Sequence, residues 1–168
     1  MLFSASQIAA RVQQIGARVA GDYAGSVPLI IAILKGSVIF VSDLLRAVDA
    51  PIEVEFLAVS SYGSGTKSTG VVRIGQDMDR EISGRDVLIV EDIVDTGATL
   101  KHLQGYLGQL NPATIRTCAL LVRKTPGQAV PEVDYVGFEI ESEAFVVGYG
   151  LDHDQRYRNL PYIAEFLA

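Results

Sequence analysis

Three carboxylates, Glu91, Asp92 and Asp95, follow the β-branched run of residues 87–90 and directly precede Thr96-Gly97-Ala98-Thr99. Two kinds of chemistry meet in this stretch. Backbone amides of a 96–99 turn that opens a helix converge on one spot, where the helix N-terminus adds positive potential and two threonine hydroxyls add donors. Such a turn can hold a phosphate dianion without a lysine. Gly97 lets the backbone approach that anion closely. Adjacent carboxylates at a strand end repel each other and cost desolvation unless hydroxyls or a hard cation satisfy them. Ribose hydroxyls and Mg²⁺ are suitable partners for Glu91 and Asp92. The plainer role for such acids is to cap the following helix, but three of them beside a phosphate-type turn exceed what capping requires.

A second polar segment, residues 62–70, carries Gly63, Gly65 and Gly70 among serines and threonines. Its glycines allow motion and its hydroxyls can meet phosphate oxygens, which suits a lid; an ordinary hairpin connection is the alternative. The run Gly63-Ser-Gly-Thr-Lys67-Ser68 has a flavour of the Walker phosphate loop. That match fails, because Thr66 and Ser61 stand where its glycines belong and residues 71–74 read as a strand and not a helix.

The elements that must carry these residues can be read from periodicity. Ser4 and Gln7 can form a capping box, and Ile8, Val12, Ile15 and Val19 recur at helical spacing, so a helix is expected over 6–20. Residues 27–34 are a continuous apolar run, the pattern of a strand covered on both faces. A helix over 37–48 follows, with Ser37 as its cap, then strands over 52–60, 71–74 and 87–90. Next come a helix over 98–110, ended by Asn111-Pro112, and a strand over 114–122. Short strands over 135–140 and 145–149 and a helical turn near 155–158 complete the chain. Strands alternating with helices predict an α/β fold with a mostly parallel sheet. Ligands of such sheets bind beyond the carboxyl ends of the strands.

Composition excludes several classes. The 168 residues are 49% hydrophobic and 20% charged, which is too apolar for a disordered chain. The length suits one domain, which buries roughly 70% of its unfolded surface. Lys plus Arg is 14 against 20 Asp plus Glu, a net charge of −6, so no nucleic-acid grip and no anionic-membrane grip are expected. The lone Cys118 reads as a buried core residue and suits a reducing compartment. Residues 1–10 lack a basic stretch followed by a long apolar one, and the longest apolar run is too short to span a bilayer; a soluble, cytoplasmic protein is expected.

The run Val-Glu91-Asp92-Ile93-Val-Asp95-Thr96-Gly97-Ala98-Thr99 resembles the 5-phosphoribosyl-1-pyrophosphate (PRPP) motif of type I phosphoribosyltransferases, and the chain more narrowly resembles the hypoxanthine-guanine group. Leu34-Lys35-Gly36-Ser37 is similar to the family's pyrophosphate loop, and Ser61-Tyr62 to the start of its mobile lid. Residues 136–140 and 145–152 resemble its purine-site segments, and Tyr157-Arg158-Asn159-Leu160 its C-terminal stretch. The likeness runs from Ile30 onward in the family's order. It implies a type I phosphoribosyltransferase fold over 1–168, with a central mostly parallel sheet flanked by helices. A hood would come from about 1–25 and 135–168, and the lid from 62–70.

The resemblance also implies roles. Asp95 (through its backbone), Thr96, Gly97, Ala98 and Thr99 would hold the ribose 5-phosphate. Glu91 and Asp92 would meet the ribose hydroxyls, directly or through Mg²⁺, which Asp152 would also bind. Lys35, Gly36 and Arg158 would bind pyrophosphate, with Leu34–Lys35 a candidate non-proline cis peptide. Asp95 would act as general base near purine N7. Ile93, Phe145, Val146 and Asp152 would line the base site, Phe145 by stacking. The family's lysine for the exocyclic oxygen of a 6-oxopurine falls at Arg123, with Lys124 next, and either residue can donate to that oxygen.

The implied reaction joins hypoxanthine or guanine to PRPP, with Mg²⁺, in a homodimer or homotetramer. N9 displaces pyrophosphate at C1 of the ribose; Lys35 and Arg158 can stabilise the leaving charge, and a carboxylate near N7 can take the purine proton. Xanthine or adenine transfer is the nearer alternative. A sensing regulator that kept the fold is the more distant one, disfavoured by the acidic charge and by the presence of Asp95, Lys35 and Arg158.

Overall fold

The computed structural model describes residues 1–61, 72–74, 81–125, 127, 131–141 and 144–167. The expected lid 62–70, with Tyr62 and the phosphate-loop-like run, lies outside them. Ser61 is described only as the end of a strand.

The chain opens with helix α1 (Ala5–Asp22), started by the expected capping box: Gln7 N–H donates to Ser4 Oγ, and the Ser4 amide to Gln7 Oε1. Then come β1 (Leu29–Leu34), α2 (Val38–Ala47), β2 (Glu53–Ser61), β3 (Val72–Ile74), β4 (Asp86–Val94), α3 (Ala98–Gly108), β5 (Thr114–Arg123), β6 (Tyr135–Ile140), β7 (Val146–Val147) and β8 (Ala164–Glu165). The main sheet has the order β3-β2-β1-β4-β5-β6. All its pairs are parallel except β2 with β3. The expected mostly parallel α/β architecture is therefore present. Its apolar strands are buried on both faces because helices cover both.

The alternation of β1 and β4 divides the core. Leu29, Ile31, Ile33, Val87 and Ile89 share one core with Leu100, Leu103 and Leu107 of α3. Ile30, Ala32, Leu88 and Val90 share the other with Ile8 and Val12 of α1 and Phe40 and Leu44 of α2. Cys118 is free and fully buried there, as expected. The α1 and α2 helices cross closely at Gly16, where a Cβ would lie 2.5 Å from the Ala47 carbonyl oxygen. Arg11 ties α1 to β6 by donating to the carbonyls of Val136 and Gly137 at 2.7 and 2.8 Å.

Five local expectations need correction. Ser37 does not cap α2 through its side chain; its hydroxyl turns back to the Ile33 carbonyl. The strand read over 87–90 continues to Val94, because β4 keeps its ladder with β5 as far as Val94↔Val122. The strand read over 145–149 is only Val146–Val147, and residues 155–158 form bridged turns, with a His153↔Arg156 bridge, in place of a helical turn. Residues 135–140, assigned to the hood, form the edge strand of the main sheet. Outside that sheet, β7 and β8 pair antiparallel, and Phe3 bridges Ile163. No described helix is long and apolar enough to cross a membrane.

Candidate active site

The connections from β1 and β4 run in opposite directions, to β2 and to β5. The gap between these two strands is the switch point at which open α/β sheets bind ligands. The ladder between them ends at Ala32↔Val90, while β4 continues against β5. Past that point the β1-facing edge of β4 is released from pairing, and there stand Glu91 and Asp92.

A cavity of about 600 Å³ occupies this gap. Lys35, Gly36, Glu91, Asp92, Ile93, Thr99, Asp152 and Arg158 line it, eight of the residues singled out from sequence, joined by Gln155. The Leu34–Lys35 peptide is cis, as expected. Gly36 sits so close to Asp92 that a Cβ would lie 1.7 Å from Asp92 Oδ2. Gly150, at φ +102°, in turn leaves only 2.1 Å between a notional Cβ and the Gly36 carbonyl oxygen. Backbone, glycine and carboxylate are thus stacked with no room for a methyl group at either glycine.

Burial governs the two adjacent acids. Glu91 is 3% exposed, and its Oε1 has no hydrogen-bond partner. Burial first, and the Asp92 charge second, push the Glu91 carboxyl up to about 8. Asp92 is also raised, chiefly by burial; its own amide, the Ile93 amide and Arg158 oppose that shift. Folded Glu91 therefore keeps a proton that the unfolded chain releases near 4.5, so stability falls as pH rises from about 4.5 through about 8. Replacing Glu91 by Gln in the ligand-free protein should leave melting at acid pH unchanged. At about pH 9 it should raise stability by an amount on the order of a few kcal/mol. Equal gains at both pH values would show that Glu91 does not titrate this way.

Residues 95–99 turn from β4 into α3. Gly97 has φ +74°, and a Cβ there would also meet Pro131 Cδ at 2.0 Å. The Ala98 amide reaches Thr96 Oγ1 at 3.3 Å. Thr96 and Ala98 are exposed, Gly97 is buried, and half-buried Thr99 lines the cavity.

A second cavity of about 450 Å³ adjoins the first, and Asp92, Ile93 and Asp152 line both. Its other walls include Asp95, Arg123, Phe145 and Val146. Thr125, which the sequence did not single out, and Leu151, within the expected purine-site segment 145–152, complete its lining. Arg123 Nε lies 3.4 Å from Asp95 Oδ1, its Nη2 donates to the Ala144 carbonyl at 3.3 Å, and its buried Nη1 has no partner. Lys124 is not brought in: half-exposed, it pairs with Glu139 at 3.2 Å. The Phe145 ring is 54% exposed. Asp152 and Arg158 face each other, with Nη2 and Oδ1 2.6 Å apart, and Arg158 Nη1 donates to the Gly150 carbonyl at 2.7 Å. The acid Asp152 and the base Arg158 are thus held as one pair between the two cavities.

This arrangement joins a polar, anion-type cavity to a partly apolar one containing an aromatic ring, a buried cation and an exposed carboxylate. It is suited to holding two substrates edge to edge. Comparison with known proteins agrees. Residues 1–154 match the model of the phosphoribosyl transferase domain. A hypoxanthine-guanine phosphoribosyltransferase of Mycobacterium tuberculosis is 52% identical, over 97% of this chain and 83% of that protein. One from Dictyostelium discoideum is 44% identical, over 98% and 93%. The crystal structure of a hypoxanthine phosphoribosyltransferase from Staphylococcus aureus superposes with a TM-score of 0.91 at 40% identity, covering 99% of this chain and 90% of that one. The chain belongs to the phosphoribosyltransferases of the hypoxanthine-guanine group, and it has their type I fold.

Proposed function

We propose that this protein transfers the phosphoribosyl group of PRPP to N9 of hypoxanthine or guanine, giving IMP or GMP and pyrophosphate. The observation that carries this reading is the pair of adjoining cavities with Asp92, Ile93 and Asp152 common to both. PRPP would occupy the larger. The amides and hydroxyls of 96–99 would bind its 5-phosphate, Glu91 and Asp92 its ribose hydroxyls, and Lys35, Gly36 and Arg158 its pyrophosphate. The base would occupy the smaller, its ring on Phe145 and its edge on the Val146 backbone, with Asp95 toward N7.

The residues then divide the work. Holding C1 of the ribose against N9 converts an encounter into a positioned displacement. Lys35 and Arg158 meet the negative charge that grows on the leaving pyrophosphate. Asp95 accepts or shares the N7 proton as N9 becomes nucleophilic.

Mg²⁺ fits the donors in a specific sense. Among the described residues no group of three or more acids, histidines or cysteines forms a protein-only cage. An ion held by one or two carboxylates and completed by substrate oxygens and water needs none. One or two carboxylates among Asp152, Asp92 and Glu91, whose buried Oε1 lacks a partner, would be the protein's share of its ligands. When bound, Mg²⁺ supplies neutralisation of pyrophosphate charge. The reaction rate should saturate with free Mg²⁺, and a rate indifferent to the ion in excess chelator would remove it from the account.

Arg123 lines the cavity with a free donor while Lys124 does not, which supports Arg123 as the reader of the 6-oxo group. Arg123→Ala should raise the KM of the base by roughly 10- to 100-fold, the range for losing a hydrogen bond to a buried charge. Lys124→Ala should leave it unchanged. The reverse order would place the readout on Lys124.

An absorbance assay with PRPP, Mg²⁺ and each of hypoxanthine, guanine, xanthine and adenine tests the whole reading. Turnover confined to 6-oxopurines is expected, and turnover with adenine alone would overturn it. The expected assembly is a homodimer or homotetramer, for which light scattering of the purified protein is the check.

A further inference from the structure

The last described residues of the chain lie against the base cavity rather than away from it. Strand β8 pairs with β7 in the register Val146↔Glu165 and Val147↔Ala164. One residue further on, the Phe166 amide donates to the Phe145 carbonyl at 2.7 Å. The backbone on both sides of Val146 is therefore fixed by the C-terminal tail.

Side chains continue the connection. The Phe166 ring stacks on the His153 imidazole, with centroids 4.1 Å apart and planes 16° apart. His153 in turn meets the Phe145 ring at 5.5 Å with the planes at 90°. Tyr157 flanks Phe166 at 5.7 Å. A two-way backbone bridge between His153 and Arg156 holds the His153 segment, at 3.2 and 3.1 Å. Phe145 remains 54% exposed and lines the smaller cavity, so its ring is supported from one side and open on another.

An exposed aromatic ring that turns freely loses rotamer freedom when a ligand stacks on it, and that loss weakens binding. A ring already held edge to face by a neighbour loses less. We propose that His153 and Phe166 are positioning residues: together they form a platform that presets the Phe145 ring for stacking on the base. The C-terminal tail thereby becomes part of the base site although it touches no substrate. This rests on the assignment of Phe145 to base stacking.

The test is steady-state kinetics of the full chain and of His153→Ala, His153→Phe, Phe166→Ala and Phe166→Tyr. Hypoxanthine is varied at saturating PRPP, and PRPP at saturating hypoxanthine. Both alanine variants should raise the hypoxanthine KM roughly three- to tenfold, the worth of an aromatic contact. The PRPP KM should stay within about twofold, and the two aromatic variants should restore the hypoxanthine KM. His153 and Phe166 come from separate segments, so each Ala and aromatic pair reads the platform independently of how the other tolerates substitution. An unchanged hypoxanthine KM in both alanine variants would overturn the proposal. So would parallel rises in both KM values, or aromatic variants no better than alanine. A wild-type protein with no hypoxanthine turnover would instead overturn the functional reading and this proposal with it; an active wild type beside unaffected variants overturns the platform alone.

Discussion

Replacing Asp95 by Asn is expected to lower kcat by roughly 10²- to 10⁴-fold, the usual contribution of a positioned proton acceptor. The substitution keeps the shape of the side chain and its reach to Arg123, 3.4 Å away in the wild type, but removes the carboxylate that can take a proton. Asp95 is suited to this task by its setting. Its side chain is about half exposed at the mouth of the smaller cavity, where a ligand can meet it without a large desolvation cost, and its position is steadied from behind by a buried guanidinium. The amides of 96–99 do not depend on the carboxylate, so the KM for PRPP should change by no more than about threefold. Steady-state kinetics with both substrates varied separates these effects. A kcat unchanged in Asp95→Asn would remove the residue from proton transfer, and a loss confined to the PRPP KM would make it a phosphate-site residue instead.

Gly36→Ala is expected to lower turnover at least about 100-fold, since displacement of reacting groups by about 1 Å is enough for such a loss. The new methyl carbon would lie 1.7 Å from Asp92 Oδ2, nearer than any real contact allows. The backbone of Gly36 cannot retreat, because the Gly150 segment stands behind it with its own notional Cβ 2.1 Å from the Gly36 carbonyl oxygen. Asp92 must therefore swing aside, and with it goes the group proposed to meet the ribose hydroxyls. The main cores lie elsewhere, between the sheet and its helices, so thermal unfolding should stay cooperative while kcat/KM for PRPP collapses. Near-normal kcat/KM in a folded Gly36→Ala protein would show that the contact between this loop and Asp92 is not needed for the reaction.

How far the site could be read in the sequence depended on whether the deciding forces were local. The capping box at Ser4 and Gln7, the apolar strand β1 and the glycine at position 97 are governed by neighbours in the chain, and the structure agrees with each. Ser37 looked equally local, but its hydroxyl donates back to the Ile33 carbonyl and does not accept from an amide of the helix ahead. The end of β4 was not legible, because it depends on where β1 stops and β5 continues. The same is true of Arg123 and Lys124. Two adjacent basic residues at a strand end look alike until the β5–β6 register turns one toward Glu139 and buries the other beside Asp95. The role of Gly36 and Gly150 as a stack against Asp92 joins three distant segments and leaves no periodic trace. The pairing of β7 with β8 is a contact between two-residue strands, too short for any hydropathy pattern to announce.

The central claim is that the two adjoining cavities hold PRPP and a purine base for direct transfer. Phosphorus NMR of the purified protein with PRPP, Mg²⁺ and hypoxanthine tests it most directly, because it follows both products at once. Pyrophosphate and a nucleoside 5′-monophosphate should appear in equal amounts, and PRPP should persist when the base is left out. Persistence of PRPP with the base present, or release of pyrophosphate with ribose 5-phosphate in place of the nucleotide, would contradict the account.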